Sequence, residues 1–449
     1  MIPSQSLQEE AQEEAKPWHL VKTKWEGISE PHQQYWYQTV GYMLGALLDS
    51  AGYSYESQNS ILHHFAKLVT PYLGVAPWSE LPRWESFMTD DHTPIELSWD
   101  FHTGADQPTI RYSIEPIGAD AGTGTNQYNE GTAAAFKQAL FKAYPDIETA
   151  LLDHFEARFN GSWADRNPEG HCSTFFWAFD LNEKTLTNKA YFFPGVVARA
   201  THRSKLRVIT DAITSAPGCG IGMQIPLHIY IDFVYQHPGL EPEIDMLALD
   251  LVPLEKARLK IYFRERRTDF GSVKETMSLG GRIQGPEFET GMKRLKRLWD
   301  ALTCMHNKPD DIPLPYKDHR TAGILYNVEF RMNVETPKVK IYIPVRHYAK
   351  NDQQIIKVLK EFLTEQVGQR QALRTAPVSA ELYSRCLGNL FDTKALAGGL
   401  GVHTYIGCSI QRGGDLRLVS YINPQLGKMN SQVPFASPEM RTNGEKLPN

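Results

Sequence analysis

Three copies of one tripeptide pattern carry the first chemical signal in this sequence. Lys189-Ala190-Tyr191, Lys260-Ile261-Tyr262 and Lys340-Ile341-Tyr342 repeat Lys-x-Tyr at separations of 71 and 80 residues. In an extended chain alternate side chains share a face, so each Lys points the same way as its Tyr, with Ala or Ile opposite. Arg258 falls on the face of Lys260 and Tyr262. Arg111 lies between Ile110 and Tyr112, and Arg417 shares a face with Tyr421. One such copy reads most simply as the solvated face of a sheet. Three copies in register with Arg111 and Arg258 point instead to a chamber lined by cations and phenols.

Arg111, Lys189, Arg258, Lys260 and Lys340 gathered without partners would repel one another, so the pattern calls for an anionic occupant. A diphosphate suits it: Arg offers planar forks and Lys compact point charges to phosphate oxygens. Tyr191, Tyr262, Tyr342 and Tyr421 would form an aromatic belt beside the cations. Aromatic faces stabilise positive charge at short range, which a dimethylallyl cation needs when diphosphate leaves. Glu96 shares a face with Ser98, while Ile95, Leu97 and Trp99 face the other way. A carboxylate there can accept a hydrogen bond from an aromatic N–H or O–H and take up its proton.

These residues need strands to hold them. Alternating segments occur in pairs joined by turn chemistry: 94–101 with 108–116, 173–180 with 187–194, 245–251 with 257–264, 323–332 with 337–344, and 402–410 with 415–422. Each pair reads as a hairpin. Helical patterns precede them at 32–50, 56–71, 131–143, 146–158, 203–215, 287–304, 352–367 and 378–390; 223–235 is ambiguous between helix and strand. Helices followed by a hairpin, five times over, is an internal repeat. The predicted fold is α+β: a closed ten-stranded antiparallel barrel with a polar lumen, ringed by helices, which leaves no strand edge exposed. The barrel is expected over residues 18–424, with a disordered tail at 1–17 and a polar tail at 425–449.

Composition narrows the classes. Of 449 residues, 41% are hydrophobic and 22% charged, and 47 cations against 52 anions give a net charge of −5. That balance offers no global attraction to nucleic acid or an anionic membrane. No apolar run reaches the ~18 residues of a membrane span, and the start of the chain lacks the pattern of a signal peptide, so a cytoplasmic protein is expected. The five cysteines are widely spaced with no CxxC pair, which reads as small buried thiols. Asn160-Gly161-Ser162 is a sequon without a secretory context. Gly218-Cys219-Gly220-Ile221-Gly222 lacks the GxGxxG spacing and reads as a loop. The pairs Asp90-Asp91 and Asp310-Asp311 do not continue to DDxxD. The expected reaction therefore uses no metal and no other cofactor.

Read in order, these segments resemble the dimethylallyltryptophan synthase family of fungal aromatic prenyltransferases. The carriers are Thr89-Asp90-Asp91-His92-Thr93-Pro94-Ile95-Glu96-Leu97-Ser98-Trp99, Arg111-Tyr112-Ser113-Ile114-Glu115-Pro116-Ile117-Gly118, Lys189 to Pro194, Arg258 to Tyr262, and the Lys340/Tyr342 and Tyr421 strands. The resemblance spans about Tyr35 to Pro424. It implies the αββα barrel, dimethylallyl diphosphate as donor and metal independence. It also implies Glu96 as the acceptor-binding glutamate, Arg111, Lys189, Arg258, Lys260, Lys340 and Arg417 as diphosphate ligands, and Tyr191, Tyr262, Tyr342 and Tyr421 as the cation shield. Three positions depart from the family pattern: Lys340 stands where many members have glutamine, Arg417 where a tyrosine is common, and Phe175-Phe176-Trp177-Ala178 lacks a lysine that some tryptophan prenylators carry.

The resulting expectation is an aromatic prenyltransferase of secondary metabolism, a monomer or homodimer, alkylating an indole-containing acceptor such as a tryptophan derivative, cyclic dipeptide or indole diterpene. Prenylation of a phenolic acceptor, such as a xanthone, another polyketide or tyrosine, is the alternative. A non-catalytic carrier of an anionic hydrophobic ligand is the rival outside enzymes, and Glu96 is what such a carrier would not need.

Overall fold

The five hairpins form where alternation and turn chemistry place them. In the computed structural model, which describes residues 16–25, 30–79, 84–104, 107–159, 171–240, 242–368 and 379–430, the strands are β1 Ile95–His102, β2 Thr109–Ile114, β3 Phe175–Leu181, β4 Leu186–Phe192, β5 Glu243–Asp250, β6 Arg258–Glu265, β7 Ile324–Arg331, β8 Lys338–Ile343, β9 His403–Ile410 and β10 Leu416–Ile422. Each pairs antiparallel with its chain neighbours, and β1 closes on β10. The barrel thus has no free edge.

Helices cover the outer face. Residues 223–235, ambiguous from sequence, lie in the helix Ile221–Gln236. The helix Pro286–Thr303 shows the general rule. Its proline occupies the first turn, where a missing N–H costs nothing. Met292, Leu295, Leu298, Trp299 and Leu302 then recur at helical spacing and are buried. It ends at Cys304, whose φ of 58° is left-handed. Cys304 is exposed and Cys172 only half-buried, unlike the buried Cys219, Cys386 and Cys408, so the expectation of buried thiols fails at those two positions.

The main apolar core lies between barrel wall and helices, not inside the barrel. Outward residues such as Ile95, Leu97, Trp99, Leu259, Ile261 and Phe263 are fully buried in it. A smaller apolar cluster lines the lumen: Phe176, Phe193, Met246, Ala248, Tyr262, Leu325 and Tyr342. Outside the wall, Asp352 Oδ1 lies 2.8 Å from His403 Nδ1, His403 Nε2 2.8 Å from the Tyr383 hydroxyl, and that hydroxyl 2.7 Å from Ser420 Oγ. The group imitates a nucleophile relay. Its members are buried and bonded to one another, so it ties helices to strands instead of meeting a ligand.

The ordered chain extends past both expected boundaries. Pro17 opens the helix Pro17–Trp25. At the other end Leu426–Lys428 form a turn, and Asn430 N donates to Leu390 O at 2.9 Å. The rest of both expected tails (1–15 and 431–449) and the sequon at Asn160 lie outside the described residues. No described helix is long and apolar enough to cross a membrane.

Candidate functional site

All six predicted cations point into the lumen, but most of them are not unpaired. Strand register places Arg111 opposite Asp180, Lys189 opposite Asp250 and Lys260 opposite Glu329. Arg111 Nη2 lies 2.5 Å from Asp100 and its Nε 3.0 Å from Asp180. Lys189 Nζ is 2.5 Å from both Asp180 oxygens. Arg258 pairs with Asp250 and approaches Glu329 at 3.5 Å, and Lys260 is 3.2 Å from Asp250. Arg417 Nη2 donates to Asp100 at 2.6 Å. The expectation of mutually repelling cations is therefore corrected: buried carboxylates offset them. The signal was present in sequence, because Trp99-Asp100, Phe179-Asp180 and Leu249-Asp250 lie at or within two residues of the end of the first strand of three successive hairpins.

The electrostatics follow from that arrangement. Burial would raise the Asp100 and Asp250 carboxyls, but the arginines and lysines beside them outweigh it and hold both well below the usual carboxylate range. Burial lowers the Lys189 amine to about 8, with Asp180 opposing and Arg111 and Lys260 adding to the fall. Lys340 differs. Its Nζ donates to the Tyr421 hydroxyl at 3.1 Å and lies 4.6 Å and 5.3 Å from the Tyr342 and Tyr421 ring centroids. No carboxylate lies within ion-pair distance of it among the described residues. Burial, helped by Arg111, lowers its amine to about 7. Gly407 makes its room: a Cβ there would sit 2.7 Å from Lys340 Cε.

The tyrosines form a continuous belt one layer further along the axis. Ring centroids are 5.9 Å apart for Tyr191 and Tyr262, 5.8 Å for Tyr262 and Tyr342, and 5.6 Å for Tyr342 and Tyr421. Asn327 Nδ2 donates to the Tyr342 hydroxyl at 2.8 Å, which fixes that ring. Phe176 stacks on Tyr191 at 3.9 Å.

Glu96 lies at the end of the lumen away from the cation layer. Thr404 Oγ1 donates to its Oε1 at 2.6 Å. Burial raises its carboxyl to about 7, Thr404 and Arg346 pulling down and Asp90 pushing up. A group titrating there can accept or return a proton near neutral pH. Phe87 and Met88 pack onto the lumen cluster from the preceding loop. That loop is anchored by the buried Glu115 carboxylate, which accepts from Trp84 Nε1 at 2.9 Å and Ser86 Oγ at 2.6 Å.

Sequence reasoning missed the rest of this mouth. Thr404 and Tyr405 both turn inward because β9 carries one extra residue against β10, between the outward His403 and Ile406. Tyr405 accepts from the buried Arg264 at 3.2 Å. Asp90, Arg320 and Arg346 come from loops and a short helix, where no periodicity marks them.

The sequence profile described as tryptophan dimethylallyltransferase matches residues 32–379. The chain is 33% identical over 404 residues to the 4-O-dimethylallyl-L-tyrosine synthase of Claviceps purpurea, covering 88% of this chain and 89% of that one. It is 30% identical over 409 residues to the 7-dimethylallyltryptophan synthase of Aspergillus fumigatus, covering 87% and 84%. Among solved structures, AnaPT from Neosartorya fischeri superposes with a TM-score of 0.78 at 22% identity, over 92% of this chain and 99% of that one. That likeness concerns the fold.

Proposed function

This chain belongs to the tryptophan dimethylallyltransferase family of aromatic prenyltransferases, and from that premise we propose that it moves a dimethylallyl group from its diphosphate to an aromatic amino acid. The observation that carries the reading is the division of the lumen: a cation layer, an aromatic belt, then one proton-accepting carboxylate. Arg111, Lys189, Arg258, Lys260, Lys340 and Arg417 hold the diphosphate. As the C–O bond breaks, its electron pair leaves with the diphosphate and positive charge stays on the allyl group. Tyr191, Tyr262, Tyr342 and Tyr421 present π-faces to that charge and keep water away. The acceptor ring lies between the belt and Glu96. Its oxygen, nitrogen or ring carbon supplies the electron pair of the new bond, and Glu96 takes the proton released.

A phenolic acceptor of the tyrosine type is supported by the 33% identical relative, which is named for that reaction. A carboxylate titrating near 7 suits a phenol that must lose its proton. The indole reading is supported by the relative named for 7-dimethylallyltryptophan. Labelled dimethylallyl diphosphate, incubated with L-tyrosine, L-tryptophan, a tryptophan-containing cyclic dipeptide and a xanthone in excess EDTA, tests the proposal. Transfer to an amino acid in EDTA is expected. Loss with EDTA, restored only by Mg²⁺, would overturn the metal-free reading; transfer to the xanthone alone would overturn the acceptor class.

A further inference from the structure

We infer that the acceptor is held as a zwitterion, its α-ammonium by Asp90 and its α-carboxylate by Arg346, at a polar cluster on the rim beside Glu96. The inference rests on the acceptor being an aromatic amino acid, but not on which ring it carries.

Three mouth segments converge to make the cluster. Asp90 comes from the loop before β1, His319 and Thr321 from the loop before β7, and Arg346 and His347 from the short helix Val345–Tyr348 after β8. Arg346 Nη1 lies 2.7 Å from Asp90 Oδ2, and His319 Nε2 lies 3.8 Å from the same oxygen. His347 Nε2 is 2.7 Å from Thr321 Oγ1. A run of contacts joins the cluster to Glu96: Arg264 donates to both Thr321 O and the Tyr405 hydroxyl, and Thr404, next to Tyr405, donates to the Glu96 carboxylate. Asp90 and Arg346 act on that carboxyl in opposite directions. The Arg346–Asp90 contact is close but poorly aligned, for Arg346 Nη1 is buried and makes no hydrogen bond of good geometry. A buried guanidinium nitrogen left this way favours a better acceptor. Neighbouring arginines are committed elsewhere. Arg264 donates to Thr321 O at 2.9 Å and to Tyr405, and Arg320 donates to Phe87 O at 3.2 Å.

A metal ion is the competing occupant, because Asp90, His319 and His347 offer ligand atoms within 4.8 Å of one another. Two contacts count against it. The Arg346 cation already neutralises Asp90, and would repel a divalent ion there. Thr321 N donates to His319 Nδ1 at 3.2 Å, which places the proton of a neutral ring on Nε2, the nitrogen facing Asp90. One fixed anion and one fixed cation instead match a ligand that carries one of each. Exchange of the Asp90–Arg346 pair for two substrate pairs leaves no charge unpartnered.

The test is equilibrium binding of L-tyrosine and L-tryptophan to the full chain with inorganic diphosphate present, beside transfer kinetics with tyramine and 3-(4-hydroxyphenyl)propionate. Each truncated acceptor should lose about 10- to 100-fold in efficiency, the effect of one charge-assisted hydrogen bond. Asp90→Asn should weaken L-tyrosine by a similar factor and leave the propionate unchanged. Arg346→Gln should weaken L-tyrosine and leave tyramine unchanged, with partial rescue by Arg346→Lys. Diphosphate binding should not move in any variant, which separates a local effect from misfolding. Variants that treat whole and truncated acceptors alike would overturn the assignment. So would amino-acid binding that EDTA abolishes and Zn²⁺ restores. Transfer confined to an acceptor that is not an amino acid, at wild-type rates in both variants, would overturn the inference and the acceptor class, while leaving prenyl transfer itself standing.

Discussion

The two ends of the lumen are built by different means. At the cationic end, the donor end of the proposed reaction, every charged group named above stands on a strand, at a position set by register: Arg111, Lys189 and Lys260 face Asp180, Asp250 and Glu329 across neighbouring strands. At the Glu96 end, the acceptor end of the proposed reaction, Glu96 and Arg264 stand on strands, but the other groups around them come from loops, a short helix and two β-bulges. Strands position groups rigidly, and loops vary without cost to the wall. Under the proposed function, the contrast gives donor chemistry to the repeat and acceptor choice to its interruptions. It also predicts that substitutions at one end should leave the other end's ligand untouched.

The largest expected effect is on stability, at the donor end. Asp250 serves two cations, Arg258 and Lys260, and is buried. Asp250→Asn leaves both without that partner. Breaking a buried pair costs about 3–5 kcal/mol, so denaturant unfolding should shift strongly. Inorganic diphosphate should recover much of the loss by replacing the missing charge. Unchanged stability, or a loss that diphosphate cannot repair, would show that the aspartates do not hold the cations in place.

The next effect is on turnover, at the acceptor end. Glu96→Gln keeps size and hydrogen bonding but cannot take a proton. Turnover should fall by about 10²-fold or more, with donor affinity nearly constant. In the wild type a carboxyl raised to about 7 becomes the working carboxylate as pH rises, so kcat should climb through that range and Glu96→Gln should lose the climb. Equal loss of donor affinity and turnover would place Glu96 in a structural role and remove the division between the ends.

The same division explains what could be read from sequence. The barrel, its ten strands and the lumen positions of the Lys-x-Tyr residues were legible because period-two alternation repeats five times. The Asp100, Asp180 and Asp250 series repeats too, but its meaning depends on which strand lies beside which, and that is fixed only on closure. At the mouth alternation itself fails. An extra residue in β5 turns both Asp245 and Met246 away from the outward face that Ile244 and Leu247 occupy, and β9 does the same with Thr404 and Tyr405. Asp90 and Arg346 meet across 256 residues of chain, a contact no local pattern announces.

Within the donor end the single-cation variants should be milder than either change above. On the proposed reading Lys189→Ala, Lys260→Ala and Arg258→Ala should each remove one charged hydrogen bond to diphosphate, for about 10- to 100-fold in donor efficiency. Acceptor binding should be unmoved, as titrations with and without donor analogue would show. A parallel loss of acceptor affinity would mean that the two ends are coupled through the belt.

The smallest effect, and the one that resolves the donor end most finely, concerns Lys340. It is the cation held by aromatic faces and a phenol instead of a carboxylate. The charges facing it are Arg111 on β2, Lys189 on β4 and Arg417 on β10, opposed by Asp100 on β1; burial is the first cause of its depressed amine, at about 7. A depressed lysine loses its charge as pH rises through that value. Diphosphate favours the charged form. The Lys340 contribution to donor affinity should therefore be level below about pH 7 and weaken above it, by at most tenfold per pH unit. An amide at this position donates a hydrogen bond at every pH. Lys340→Gln should thus bind the donor up to about tenfold more weakly than wild type at pH 6, and approach wild type at pH 8.5. The ratio of the two dissociation constants is the quantity to read, because the ionisation of the diphosphate and of Glu96 is common to both proteins and cancels. A ratio independent of pH would mean that Lys340 stays charged throughout. The carboxylates of the neighbouring pairs would then serve it as well, and the donor end would act as one network, not as paired cations plus one titrating amine.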